Sequence, residues 1–363
     1  MQHNLTQMLK VAKAALAAEK NLRRTVEYAR PEVLDEAAEL IQQGERDVYL
    51  FGVKNTKQIS WNLIDKLTAA GYLFHTIDSM ARGGRAIDVD LVNPLTGGVM
   101  TGSSSGSCLN ILLGINDFAL GTDGGGSVLG PAISTGLFGF MAKGLGLKGQ
   151  NPRISTDKIE FVPGVGIITY DYQLGLEVLA HVADYQLLCA DEMKAERVKV
   201  AVPHGSRENS GLQHALGKLE DWVEIVEADF GAADLALPSR EELIAKCGEL
   251  LAAGIDLILS QEGPVDLWGR GDSVLGTWGE TGKEMQIRGG KGLIRVANML
   301  NATAVSIPTG ELASGLLVLG PEGKRGGSLS LSVGRMLAQA FSPPELFQRY
   351  FLHSYQRKEE GLI

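Results

Sequence analysis

Gly102-Ser103-Ser104-Ser105-Gly106-Ser107 and, shortly after it, Gly121-Thr122-Asp123-Gly124-Gly125-Gly126-Ser127 frame the segment 97–149. Between them run Cys108-Leu109-Asn110-Ile111-Leu112-Leu113-Gly114-Ile115 and then Asp117-Phe118-Ala119-Leu120, so the segment reads as loop, buried helix, strand, loop. A compact fold then brings both clusters to one end of the same layer. Ordinary turns do not need seven small residues in succession. Glycine admits backbone angles closed to other residues and lets a ligand approach the chain. Successive free N–H groups in such a loop make an anion-binding concavity. Ser127, which closes the loop, stands like a nucleophile beside its own oxyanion hole.

Around this segment the chain of 363 residues alternates helical and extended patterns. Leu5, Met8, Leu9, Ala12, Ala15 and Leu16 recur at helical spacing and predict a helix over about 5–29. A second helix is predicted from Pro31 to about Gly44. Val48-Tyr49-Leu50-Phe51-Gly52-Val53 reads as a buried strand ending on Lys54, a position where a lysine is desolvated unless the strand end opens on a cleft. A helix over 57–70 and a strand Tyr72–Ile77 follow, then an irregular stretch from Asp78 to Thr96. Beyond the two clusters come a short helix over 131–139, a helix over 171–188, and strands and helices in turn to residue 260. A helix near 291–300, strands near 303–307 and 315–319, and terminal helices complete the pattern, with 263–290 as the longest aperiodic run. Such alternation predicts an α/β fold: one large domain with a central mixed, mostly parallel sheet and helices on both faces. Residues 1–45 form a helical lead-in, 46–150 hold the two clusters, and 151–363 supply the rest of the sheet and the C-terminal helices.

Composition narrows the function. The 44% hydrophobic and 21% charged residues suit a packed globular protein, and the net charge of -9 argues against nucleic acid or an anionic membrane as a direct partner. Cys108, Cys189 and Cys247 are odd in number and far apart, so they read as reduced core residues. The N-terminus lacks a charged-then-apolar leader pattern, and no run approaches the ~20 apolar residues of a membrane span, so a cytoplasmic location is expected.

Two motifs compete with the serine reading. Gly144-Leu145-Gly146-Leu147-Lys148-Gly149 matches G-x-G-x-x-G, but Gln150-Asn151-Pro152 does not open the helix a dinucleotide site needs. The six histidines show no metal-ligand spacing, so no metal and no cofactor is expected. Gly102-Ser103-Ser104-Ser105-Gly106 also fits G-x-S-x-G, which would make Ser104 the nucleophile of an α/β-hydrolase esterase with His204, His214 or His353 as base.

The two clusters taken together resemble the amidase signature family, whose second cluster commonly reads G-T-D-x-G-G-S-[IV]-R-x-P. Gly121, Thr122, Asp123, Gly125, Gly126, Ser127, Val128 and Pro131 match it, and Ser103 and Ser127 lie 24 positions apart, as in the family. Gly52-Val53-Lys54-Asn55 resembles the family's lysine strand, Asn93-Pro94 its lead-in, and Ala297-Asn298 to Pro308 its C-terminal helix and strand. The resemblance implies Ser127 as nucleophile, Ser103 as bridging serine on a cis Gly102–Ser103 bond, and Lys54 as base. It implies an oxyanion hole from Gly124, Gly125, Gly126 and Ser127, with Ser104, Ser105, Thr122 and Asp123 in support. The implied activity is hydrolysis of a small carboxamide through an acyl-enzyme. A partner-dependent subunit, like the relatives that act inside a tRNA-dependent amidotransferase, is the alternative, and a homodimer is possible. The chain departs from the pattern at Leu129, where arginine is usual, and at Ser134-Thr135, where Phe-Cys is usual. Asp123 then needs another partner, with Arg82, Arg85 and Arg153 as candidates. The shorter chain implies a smaller or more open substrate pocket.

Overall fold

The computed structural model describes residues 2–44, 47–208, 210–230 and 239–352. Gly315-Leu316-Leu317-Val318-Leu319-Gly320 is apolar on both sides, and both sides are used: Leu316 and Val318 join one core cluster, Leu317 and Leu319 the other. A strand buried on both faces belongs inside a sheet that has helices above and below it. In chain order the strands are β1 Val26–Ala29, β2 Leu50–Lys54, β3 Leu73–Asp78, β4 Ile87–Val92, β5 Val99–Thr101, β6 Phe118–Asp123, β7 Phe138–Met141, β8 Arg153–Ile154, β9 Glu160–Phe161, β10 Gly164–Thr169, β11 Lys199–Pro203, β12 Glu224–Ala228, β13 Leu257–Glu262, β14 Thr303–Pro308 and β15 Gly315–Gly320. Eleven form one sheet in the order β1-β3-β2-β6-β10-β7-β14-β15-β13-β11-β12, while β4–β5 and β8–β9 are separate hairpins.

The main helices are α1 Gln2–Lys20, α2 Val33–Gln42, α3 Trp61–Ala69, α4 Ser105–Leu112, α5 Leu129–Ser134, α6 Tyr172–Ala180, α7 Ala190–Ala195, α8 Ser210–Leu219, α9 Arg240–Ala252, α10 Gly279–Ile287 and α11 Lys324–Ala340. Helices α3, α6, α8 and α11 pack on one face of the sheet, and α4, α5 and α9 on the other. The α/β fold with a single mixed sheet is therefore as expected, but the sheet is not mostly parallel. Six of its ten pairings are antiparallel. Helical crossovers give parallel pairs where β2 leads through α3 to β3 and β11 through α8 to β12. In the middle, β14 turns straight back into β15 and no crossover intervenes.

Two expected helices are shorter or absent. The first stops at Lys20: the Asn21 side chain takes the Ala17 carbonyl, Arg23 adopts φ 62, and the chain returns as edge strand β1. The one expected near 291–300 is a single 3-10 turn, Leu293–Arg295. The buried Glu262 carboxylate accepts the N–H groups of Gly292 and Leu293, and Lys143 Nζ donates to the Asn298 carbonyl, so the turn is tied down at both ends. The aperiodic run 263–290 contains α10 and is held by a buried Lys291–Asp266 ion pair of 2.6 Å. The irregular stretch before Thr96 folds as β4, with one 3-10 turn at Arg82–Gly84.

The parallel strands β2 and β3 end side by side on Lys54 and Asp78. Asp78 is fully buried, and its Oδ1 accepts from Thr76 Oγ1 at 2.7 Å and Asn110 Nδ2 at 2.6 Å. Asn110 lies on α4 and also donates to the Thr25 carbonyl, so this carboxylate fastens α4, and the serine cluster at its start, to the carboxyl ends of the strands. A Cβ at Gly52 would stand 2.3 Å from Asp78 Oδ2, which restricts position 52 to glycine. Burial raises the Asp78 pKa to about 6, against the lowering by its hydrogen bonds from Thr76 and Asn110. Between pH 4 and 6 the unfolded chain gives up this proton before the folded one does, so stability from this group falls over that window, by about 3 kcal/mol in all. In thermal melts Asp78→Asn should therefore gain on the wild type as pH rises from 4 to 7. A melting-temperature difference independent of pH would refute the assignment.

Candidate active site

Lys54 is the last residue of β2 and Asp123 the last of β6, its parallel neighbour, so both face the carboxyl edge of the sheet. Lys54 is 2% exposed. Its Nζ lies 2.7 Å from Ser103 Oγ, 3.0 Å from Thr122 Oγ1 and 3.1 Å from the Thr122 carbonyl. Burial pulls its pKa down to about 7, with the positive charge of Arg153 adding to the shift and the negative charge of Asp123 opposing it. A neutral amine has two N–H groups and one lone pair. Thr122 offers two acceptors for the N–H groups, which leaves the lone pair to accept from the Ser103 hydroxyl.

Ser127 is half-buried, and its Oγ accepts from the Ser103 N–H at 3.3 Å. The structure thus brings Lys54, Ser103 and Ser127 together in one chain of contacts. Gly102 turns the backbone at φ 68, with the Pro131 ring 2.5 Å from where a Cβ would be. The Gly102–Ser103 bond is not cis, contrary to expectation; among the described residues the cis bond is Gly263–Pro264.

Asp123 needs none of the three arginines proposed for it. Its Oδ1 accepts from Gly126 N at 2.6 Å, and its Oδ2 from Val128 N at 2.6 Å and Leu129 N at 3.2 Å. Arg82 pairs instead with Asp90, Arg85 with Asp272, and Arg153 is exposed on β8. Leu129 is fully buried in the core cluster beneath α5. One consequence corrects the expected oxyanion hole: the Gly126 N–H is already taken by Asp123. The Gly124, Gly125 and Ser127 N–H groups donate to no protein acceptor among the described residues.

Each glycine of the loop touches a different neighbour. A Cβ at Gly124 would meet the Phe161 ring at 2.5 Å, one at Gly125 would meet Arg240 Nη2 at 2.0 Å, and one at Gly126 the Ile294 carbonyl at 3.2 Å. Phe161 comes from the β8–β9 hairpin and Arg240 opens α9. The hairpin is joined to α9 by Arg240 Nη1 donating to Asp157 Oδ1 at 2.9 Å and Oδ2 at 3.3 Å. Neither Arg240 nor Phe161 was singled out from the sequence, because nothing near either residue in the chain marks it.

Other expected residues lie elsewhere. Ser104 Oγ is buried with no hydrogen-bond partner, so the esterase reading finds no base among the described residues. His204 is exposed beside Glu227, His214 packs on Phe341, and His353 lies outside the described residues. Ser105 Oγ donates to the buried Asp88, which ties α4 to the β4–β5 hairpin. The Gly144–Gly149 run forms a 3-10 turn with no helix after it, and Gly144 lies against the Thr303 backbone. A cavity of about 830 Å³ opens at the other end of the sheet, between Lys10, Tyr49, Asp117 and Arg335, and includes none of the site residues. Among the described residues no cluster of His, Cys, Asp or Glu is placed to hold a metal, and no helix is long and apolar enough to cross a membrane.

No protein-family model matches the chain. Over 162 residues, 40% of the chain, it is 31% identical to a glutamyl-tRNA(Gln) amidotransferase subunit of Methanothermobacter thermautotrophicus, and the match spans only 36% of that relative. Solved structures align over nearly all of it. A bacterial aryl acylamidase of the amidase signature family superimposes with a TM-score of 0.63 at 16% identity, covering 95% of this chain and 94% of that one. A 6-aminohexanoate cyclic dimer hydrolase gives 0.65 at 14% identity, covering 94% and 95%. The chain therefore has the amidase signature fold.

Asp123→Ala would leave three buried N–H groups unpaired, each worth about 1–3 kcal/mol. Urea unfolding of that variant should show a loss of about 3 kcal/mol or more, with Asp123→Asn, which keeps one acceptor oxygen, in between. A loss below about 1 kcal/mol for the alanine variant would contradict this account of the loop.

Proposed function

We propose that this protein hydrolyses a small carboxamide, with Ser127 as nucleophile, Ser103 as proton relay and Lys54 as base. The observation that carries the reading is the 2.7 Å contact between a buried amine and the Ser103 hydroxyl. A lysine accepts a proton only when neutral, and burial at this strand end makes the neutral form accessible near pH 7. Ser103 touches both partners, its Oγ on Lys54 Nζ and its N–H on Ser127 Oγ. Ser127 Oγ accepts from the Ser103 N–H at 3.3 Å, so the two serines are already in direct contact.

The steps then follow. The Ser127 proton passes to Ser103 as the Ser103 proton passes to Lys54, and Ser127 Oγ bonds to the amide carbon. The carbonyl electron pair moves to oxygen, where the N–H groups of Gly125 and Ser127, with Gly124 beside them, receive the negative charge. The tetrahedral adduct expels ammonia or an amine, which takes its proton back from Lys54 through Ser103. Water repeats the sequence on the acyl-enzyme and releases a carboxylic acid. Hydrolysis, rather than transfer within a complex, is the reading we favour. The match to an amidotransferase component supports a second one, in which the same site releases ammonia from glutamine only beside a partner chain.

Across a panel of small amides, Ser127→Ala should lose at least ~10³-fold in kcat/KM and all labelling by a fluorophosphonate. Ammonia release equal to the wild type would sink the proposal, and activity confined to glutamine with an added partner would favour the second reading. The wild-type kcat/KM should climb about tenfold per pH unit below pH 7, where Lys54 is protonated, and level off above it. A profile flat from pH 5 to 8 would remove Lys54 as the base.

A further inference from the structure

The chain carries a net charge of -9, yet arginines from three separate elements surround the serine site. Arg240 leads α9, Arg153 starts the β8–β9 hairpin, and Arg295 ends the 3-10 turn after Gly292. Arg240 is the one in contact with the loop. Its side chain is 14% exposed, and its Nη2 lies against Gly125, two residues before Ser127. Only Nη1 is satisfied, by Asp157, itself 35% exposed. The two Nη2 hydrogens have no protein acceptor among the described residues, and the nitrogen that carries them lies beside the glycine loop that ends in Ser127. A largely buried guanidinium with one nitrogen left without an acceptor is a ready partner for a carboxylate, which it binds in the plane of the fork. Arg153 makes no ion pair among the described residues, and its positive charge lowers the Lys54 pKa, so its field reaches the site as well.

We propose that the amide cleaved at Ser127 carries a carboxylate a few bonds from its carbonyl, and that Arg240 binds this carboxylate, with Arg153 adding to the attraction. The inference rests on the amide-hydrolase reading above and gives it a substrate class: monoamides of short dicarboxylic acids and similar anionic amides. Arg240 is then a specificity-determining residue. Asp157 is a placeholder that orients the guanidinium by one nitrogen and leaves the other for substrate.

The test compares succinamate with butanamide, and glutaramate with pentanamide, pairs that differ in a carboxylate replacing a methyl group. The wild type is expected to favour the anionic member by at least tenfold in kcat/KM. Arg240→Gln should bring that ratio near one, mainly through a KM for succinamate or glutaramate raised about 10–100-fold, and Arg240→Lys should restore part of it. Asp157→Asn separates this role from a purely structural one. If Arg240 only clasps the hairpin, Asp157→Asn and Arg240→Gln will depress both members of each pair alike, and the proposal falls. It also falls if the wild type treats anionic and neutral amides equally while Ser127 is labelled by a fluorophosphonate. No labelling and no amide turnover at all would instead overturn the parent reading, and this one with it.

Discussion

An ammonium group withdrawn from water at the end of β2 is the constraint around which the rest is arranged. Holding Lys54 charged in that position, relative to water, is disfavoured by about 5 kcal/mol, the equivalent of its shift from 10.5 to about 7. The protein tolerates this because the amine has three polar neighbours, two on Thr122 and one on Ser103. Those neighbours must come from different parts of the chain and stay fixed. Thr122 is held by the pairing of β6 with β2 and β10. Ser103 is held through α4, which Asn110 ties to Asp78 and Ser105 ties to Asp88. Buried polar groups of this kind are stable only when each finds its partner, so the loss of one contact propagates to the next.

The glycine loop follows the same logic on a smaller scale. Asp123 turns its carboxylate inward onto three N–H groups of the residues that follow it, so the loop carries its own staple and requires no arginine from position 129. With that charge satisfied locally, a leucine at 129 fills the core under α5 instead. The glycines answer to their surroundings as well as to chemistry. Phe161, Arg240 and the Ile294 carbonyl each occupy the space a side chain would need. A single alanine in this loop would displace a ring, a guanidinium or a backbone.

Charge is distributed against the average. Acidic residues outnumber basic ones over the whole chain, whereas the edge of the sheet bearing Ser127 has arginines around it. Fields from fixed cations act strongly where water is partly excluded, and they favour the anion that forms when a nucleophile adds to a carbonyl. Arg153, one of these cations, also holds Lys54 toward its neutral form.

The sequence alone determined the elements that are written locally. Short apolar runs mark β2, β6, β14 and β15, and the succession of small residues from Gly121 to Ser127 marks a loop built for close approach. Local pattern failed at two places: the segment after residue 291 forms a single 3-10 turn tied to Glu262 in place of the expected helix, and the reversal at Arg23 ends α1 and begins a strand. It also misjudged strand direction, expecting a mostly parallel sheet where six of ten pairings are antiparallel, because the apolar pattern of a buried strand is the same whichever way its neighbour runs. Only the tertiary structure decided that Lys54 meets Ser103, that the Gly126 N–H belongs to Asp123, and that Arg240 closes on Gly125. The physical reason is that such contacts depend on distance in space, and a residue's own neighbours in the chain have no record of what the fold will bring beside it.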